Sequence, residues 1–277
     1  MFEAVNKPLV DHQSLNIPDF KFGIIHCREF VDPNAPTVDP LHIHEQLEIF
    51  FNISADASFL VNDKIYPTSP FDVVVSCPHD VHVCIFNRPA IHEHFCLWID
   101  GNFDSPMLDF LKRDSFYPLF SLDDKTKKQL RELFFSLHFA AENGSSALEQ
   151  TALVLSILSI LASSNGNADA TSALPSQLQT IIDDIYENLS TINTVNEICQ
   201  KHFVSSSTLT RWFRTYMHTS PHEYLQSQKC SHAARLLATG SNVTDACMRS
   251  GFSDCSHFIV LFKRKFGQTP LQYKRKF

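Results

Sequence analysis

His42, Ile43 and His44, with Glu48 four residues further on, spell HxHxxxE. Alternate residues of a strand point to one face, so these imidazoles and the carboxylate can converge on one mouth of a sheet. His82 follows, after the turn-rich stretch from Asp72 to Pro78. Three imidazoles and a carboxylate suit a first-row transition metal. The same groups can instead line a polar pocket for a small molecule. Trp98 can stack on such a molecule or fill the core. Cys77, His79, His82 and Cys84 also carry ligand atoms, but they share one strand and its entry turn, which cannot wrap a tetrahedral site unaided. His92 and His94 share one strand face.

A second set of residues lies near the other end, where one pattern occurs twice. Val195, Glu197, Ile198 and Cys199 recur 48 positions later as Val243, Asp245, Ala246 and Cys247. From Phe203 the offset reads as 49, pairing Phe203 with Phe252, Leu209 with Phe258, Phe213 with Phe262 and Tyr224 with Tyr273. One residue is gained or lost at the turn, and a repeat of this length is one supersecondary unit used twice. Each unit reads as helix, tight turn, helix, over about 195–217 and 243–266. A hydroxyl of Ser205 or Ser206 can cap the second helix of the first unit, and Asp254 that of the second. Helical spacing turns Leu209, Phe213, Phe258 and Phe262 inward. Ser205, Ser206, Ser207, Thr208, Thr210, Arg211 and Arg214 then gather at the start and outer face of one second helix. Asp254, Cys255, Ser256, His257, Ile259, Val260 and Lys263 do so on the other. Short donors and acceptors with guanidinium groups reach base edges and phosphates, so these residues are the expected DNA contacts. A small helical domain with solvated basic faces is the alternative, and the shared offset weighs against it.

The strings SSSTLTRWFRTYMHTSPHEYL, HAARLL and GFSDCSHFIVLFKRKFGQTPLQY resemble the DNA-binding domain of the AraC/XylS family of bacterial transcription regulators. The resemblance covers about 100 residues. It implies seven helices, with two helix-turn-helix units on one long connecting helix near residues 220–239. The sequence departs from the family at three places: His218 stands where glycine is usual at a helix end, Lys229 where arginine is common, and Val260 where the second recognition helix commonly carries arginine. The first unit is therefore expected to read bases. The second would grip phosphate, with Ile259 or Val260 against a thymine methyl.

Composition divides the 277 residues in two. Residues 171–277 hold 12 Lys and Arg against 7 Asp and Glu, while residues 1–170 carry a net −12. The basic part suits a polyanion and the acidic part does not. Eight scattered cysteines without a CxxC pair, and a start without a basic end followed by an apolar run, suggest a reduced, cytoplasmic protein. The longest apolar stretch, near residues 152–162, is too short to span a bilayer.

Short β-branched and aromatic runs at 22–27, 47–53, 58–61, 64–66, 72–76, 82–86 and 92–99 read as strands of a sandwich or barrel. HxHxxxE, and the stretch from Asp72 through Pro78 to His82, resemble the two motifs of cupin jelly rolls. In metal-binding cupins the equivalents of His42, His44, Glu48 and His82 are ligands. The glycines flanking the cupin motifs are missing, and Phe71 stands where one is usual. Residues 127–141 and 146–163 read as an amphipathic helical hairpin, with Leu148, Ala152, Leu155, Leu158, Ser159 and Ala162 as the stripe of its second helix. Residues 163–172 read as a polar linker.

The expected fold is α+β in two domains: a cupin-like β-barrel (1–122) with a helical hairpin for dimerisation (123–163), a linker (164–175) and an all-α domain (176–277). The expected function is a dimeric regulator of double-stranded DNA. A small-molecule effector, a sugar or related metabolite, would sit against His42, His44, Glu48, His82 and Trp98. RNA polymerase would be a partner if the protein activates; no cofactor, catalytic residue or membrane partner is expected. A metal-dependent cupin enzyme carrying a DNA-binding domain is the alternative, told apart by stoichiometric metal with turnover.

Overall fold

The computed structural model describes residues 20–32, 41–54, 57–86, 88–101, 106–113, 116–164, 166 and 174–276. Residues 1–19 and most of the expected linker lie outside them. Among the described residues eight strands come first: β1 (Phe20–Val31), β2 (Leu47–Asn52), β3 (Ala57–Val61), β4 (Lys64–Thr68), β5 (Val73–Ser76), β6 (His82–Phe86), β7 (Ala90–Gly101) and β8 (Leu119–Phe120). They form a five-stranded sheet, β1-β7-β2-β5-β8, and a three-stranded sheet, β4-β3-β6. The expected barrel is thus two facing sheets, which do not join into one cylinder among the described residues. Residues of β2, β3 and β5 are buried on both faces, which is why those strands read as continuous apolar runs rather than alternations. Phe71, in the place of the usual glycine, has φ 64°, so the turn keeps the left-handed backbone and bears its strain.

The hairpin follows as α1 (Asp124–Glu142) and α2 (Ala147–Ser163). Asp123 and Ser146 cap the two starts, and Gly144 turns the chain with φ 65°. Leu130, Phe134 and Leu137 of α1, with Val154, Ile157, Leu158 and Leu161 of α2, pack on the five-stranded sheet. This corrects the expected stripe of α2. Leu148, Ala152 and Ser159 are exposed, and Leu155 and Ala162 are only half-buried. Apolar residues surround α2 on most sides, so periodicity alone cannot choose its inner face.

Seven helices follow among the described residues: α3 (Ser176–Glu187), α4 (Val195–Lys201), α5 (Ser206–Met217), α6 (Pro221–Ala238), α7 (Val243–Arg249), α8 (Cys255–Phe266) and α9 (Pro270–Lys274). The 18 residues of α6 make a helix about 27 Å long, joining the two repeated units. Its buried set includes Ser227, Gln228 and Ser231, polar groups that a free helix would leave in water. The three-stranded sheet and its loops cover them. Gln228 Nε2 and the Tyr224 hydroxyl both donate to the Asn62 carbonyl, at 3.0 and 2.8 Å. Ser231 Oγ donates to the His79 carbonyl. One apolar core continues from Leu41, Ile43, Val81 and Val83 into Leu178, Tyr224, Leu237 and Phe262.

Candidate nucleic-acid interface and sensing cluster

The sequence of α5 forms a helix because Ser205 Oγ accepts from the Thr208 N–H at 3.1 Å, satisfying an end donor, and Leu209, Phe213 and Met217 give one buried stripe. The outer face holds Ser206, Ser207, Arg211 and Arg214, all exposed, with Thr208 and Thr210 half-buried at its edge. His218 ends the helix in the left-handed conformation, φ 49°, as its glycine-like position suggested. In α8, Asp254 accepts from the Ser256 N–H, and Phe258, Leu261 and Phe262 are buried. Ser256, His257, Ile259, Val260 and Lys263 are exposed along the opposite side.

Two expectations need correction. Cys255 does not face outward with its neighbours, because its sulfur is bonded to Cys247 of α7 and its side chain packs on the core. Spacing hid the pair, since its members straddle a turn. The alignment of the repeat also shifts. The Val204 N–H bonds the Cys199 carbonyl as the Phe252 N–H bonds the Cys247 carbonyl. Val204, not Phe203, is thus the counterpart of Phe252, and Phe203 is the counterpart of Gly251. The extra residue, Ser253, follows Phe252. Lys265 in the last turn of α8 pairs with Glu223 of α6 and so braces the connecting helix.

Two further residues beside α5 were not singled out from sequence. Thr194 and Ser220 cap α4 and α6, and they line one shallow groove with Ser206 and Thr210. The legible signal was a Thr or Ser just before each helical run, with a Glu three residues later.

In the sheet region, His42 forms a β-bridge with His82 at the entry to β6, while His44 lies just ahead of β2 and Glu48 is its second residue. One ligand atom from each of His42, His44, Glu48 and His82 lies within 4.8 Å of the others. His82 is fully buried, and its Nε2 has no hydrogen-bond partner, lying 3.6 Å from Glu48 Oε2. The His82 Nδ1 is 2.9 Å from the Asp80 carbonyl, and the His44 Nδ1 is 3.0 Å from the Gln46 carbonyl. A carbonyl only accepts, so both rings carry their proton on Nδ1. A neutral ring then aims an Nε2 lone pair at the Glu48 carboxylate, 3.1 Å away for His44. Ring protonation or an added cation removes that repulsion. Burial alone would raise the Glu48 carboxyl, but His82 and His44 outweigh it and hold it well below the usual range. The Trp98 indole N–H donates to Glu48 Oε2 at 2.6 Å. The donor set thus fits a first-row transition ion, held by His42, His44, Glu48 and His82, with His82 oriented from behind by the Asp80 carbonyl.

His79 turns away from this cluster. Its ring meets the Tyr273 hydroxyl, and burial pushes its pKa down to about 4. Cys77 is held protonated by burial, and Cys84 lies on β6 outside the cluster. His92 is buried against Phe86, and His94 stacks on Phe50. The residues next to the cluster reach the helical domain: Glu45 accepts from Lys276 and Gln268, and Asp80 lies 3.9 Å from Arg235.

Residues 198–276 match a family model described as a helix-turn-helix domain. The chain is 24% identical over 251 residues to the HTH-type transcriptional activator RhaR of Mannheimia succiniciproducens, covering 86% of this chain and 88% of that protein. It is 26% identical over 270 residues to the HTH-type transcriptional activator RhaS of an Enterobacter species, covering 90% and 93%. ToxT of Vibrio cholerae, a solved structure, aligns over 92% of this chain and 97% of its own at 13% identity, with a TM-score of 0.38. Two helix-turn-helix units on a connecting helix, matched by regulators along most of the chain, define a transcription regulator that binds double-stranded DNA and is not an enzyme. These matches support the resemblance to the AraC/XylS family read from the sequence. No helix among the described residues is long and apolar enough to cross a membrane.

Proposed function

We propose that the chain is a cytoplasmic one-component regulator whose sheet domain senses a small molecule and whose two helix-turn-helix units read one face of DNA. The observation that carries this reading is the run of contacts from the cluster's neighbours to the helical domain. His44 is followed by Glu45, and His82 is preceded by His79 and Asp80. Each of these three touches α6, α9 or the chain beside them. A ligand that shifts the cluster shifts the surface against which α6 is held. Coupling of this kind requires the ligand to bind two arrangements of the domains with different affinity.

Ser205, Ser206, Ser207, Thr208, Thr210, Arg211 and Arg214 are proposed as base and phosphate contacts of the first unit. Asp254, Ser256, His257, Ile259, Val260 and Lys263 are proposed for the second. The effector is proposed to be a carbohydrate-type metabolite whose hydroxyls meet His42, His44, Glu48 and His82, with Trp98 alongside. The unpartnered Nε2 of His82 favours a second reading, in which a transition ion held by the same four residues neutralises the buried carboxylate and orients the sensed molecule or acts alone. The exposed Phe139 and Leu148 on the hairpin support a homodimer through α1 and α2, and RNA polymerase would be the partner of an activator.

The test is a footprint with a salt titration on a duplex selected from a random pool by the full chain, run with single monosaccharides and with zinc or manganese salts. Two protected segments about one helical turn apart, altered by one of these additions, are the expected result. Weak protection without sequence preference that collapses with salt would refute specific reading. Protection unchanged by any addition would refute the proposed effector classes.

A further inference from the structure

The second helix-turn-helix unit contains a linkage that the first cannot make. Cys247 on α7 and Cys255, the first residue of α8, are joined by a disulfide, with Cα atoms 6.0 Å apart. The matching positions of the first unit are Cys199 and Ser206, and a hydroxyl cannot form that bond. Cys247 is fully buried while Cys255 is half-buried at the rim of the recognition helix. A disulfide in a reducing compartment is commonly transient and redox-sensing.

We propose that Cys247 and Cys255 form a thiol–disulfide switch that sets how firmly the second unit holds DNA. The more exposed Cys255 thiolate attacks the sulfur of a low-molecular-weight disulfide, such as glutathione disulfide, breaking its S–S bond and expelling one thiolate. Cys247 then loses its proton to water and attacks the Cys255 sulfur of the mixed disulfide, expelling the second thiolate. Two cysteine thiols are oxidised, one small disulfide is reduced to two thiols, and electrons balance.

The bond ties the first turn of α8 to α7, the two helices whose mutual angle defines the unit. Ser256, Ile259, Val260 and Lys263 follow on that same helix, and they include no arginine. A surface with few strong contacts gains most from being held in its binding arrangement beforehand, because less freedom is lost on docking. The oxidised form is therefore the tight binder at the second half-site. The first unit, without the bond, is an internal reference. The proposal is independent of what the sheet domain senses.

The experiment compares the full chain equilibrated in reduced or oxidised glutathione. Differential alkylation and peptide mass analysis read the Cys247–Cys255 link, and footprinting on a duplex selected from a random pool reads each half-site. Oxidation is expected to link these two residues and to tighten the second half-site about tenfold, leaving the first unchanged. Cys255→Ser, which keeps the buried Cys247, is expected to bind like the reduced chain in either buffer. Both thiols remaining alkylatable in oxidised glutathione would overturn the proposal. So would equal or tighter binding by the reduced chain, or a redox response that survives in Cys255→Ser.

Discussion

The two helix-turn-helix units share a plan and differ in what holds each turn. In the first, the turn residue Phe203 has φ 52° and is 95% exposed. In the second, its counterpart Gly251 has φ 78°, and a Cβ there would lie 2.8 Å from the Leu189 carbonyl oxygen and 2.9 Å from that of Ser190. The left-handed backbone is common to both, since each turn must reverse in the same few residues. Only the second is crowded by the loop between α3 and α4, and only there must the residue be glycine. Lys229 adds to the difference. Its ammonium, held below the ordinary lysine range by burial, donates to the Gly251 carbonyl at 2.6 Å. The first unit is instead fastened by Asp184 of α3, which accepts from Lys201 and His202 at the end of α4. One motif is thus anchored from its turn and the other from its first helix.

The largest effect should come from Phe252, the residue after the second turn, set against Phe203, which shares its type but not its place. Phe252 is 7% exposed and packs on Phe258, so Phe252→Ala should cost about 3–5 kcal/mol of stability by leaving a cavity. Phe203→Ala should change stability by less than about 0.5 kcal/mol, because its ring lies in water. Denaturant midpoints of the two variants measure this. Equal losses would restore the pairing of Phe203 with Phe252 that their shared residue type suggested.

The turn residues themselves come next. Gly251→Ala adds both left-handed strain and overlap with two backbone carbonyls, together about 3 kcal/mol. Phe203→Gly removes the strain where nothing is crowded and should stabilise by about 0.5–1 kcal/mol, after the entropy that glycine adds to the unfolded chain. Thermal melts in which the two changes moved stability in the same direction would contradict the crowding argument.

DNA binding should divide the units in the same way. Arg211 is exposed in mid-face of α5, and Arg211→Ala should cost about 1–3 kcal/mol at the preferred duplex while relaxing the sequence preference. Val260, 69% exposed on α8, carries no charge, so Val260→Ala should leave the salt slope as it is. Binding isotherms at several salt concentrations separate these results. A change in slope alone for Arg211→Ala would make Arg211 a phosphate contact.

Much of this architecture was legible because it rests on periodicity and caps. The four helices of the repeat begin at Thr194, Ser205, Asn242 and Asp254, side chains that satisfy free N–H groups, and those boundaries agree with the pattern read from residues alone. HxHxxxE and His82 converge, although His44 lies ahead of β2 and a bend at Glu45 and Gln46 separates it from Glu48. The rest depends on partners far away in sequence. Strand β1 extends to 12 residues only because all of them pair with β7, although His26, Arg28 and Glu29 give it a polar look. Ser227, Gln228 and Ser231 resemble a solvated face of α6 until the Asn62 and His79 carbonyls meet it. The register of the repeat needed hydrogen bonds to settle, since Phe203 and Phe252 are alike in type and opposite in setting.

The last effect expected depends on pH. Burial works to raise the Asp184 carboxyl, but the hydrogen bonds and charges of Lys201 and His202 outweigh it and keep it below the ordinary aspartate range. A carboxyl whose folded pKa is depressed contributes stability that is complete above its unfolded value, about 3.9, and is lost as pH falls through the lower folded value. Asp184→Asn should therefore destabilise the chain at pH 7, by about 1 kcal/mol given the exposure of Lys201. The gap between variant and parent should close in acid. In the second unit Arg249 and Ser250 occupy the places of Lys201 and His202. Hydrogen exchange as pH falls should open α4 before α7, and exchange that opened both together in the parent and in Asp184→Asn would mean that the first unit's fastening is shared rather than its own.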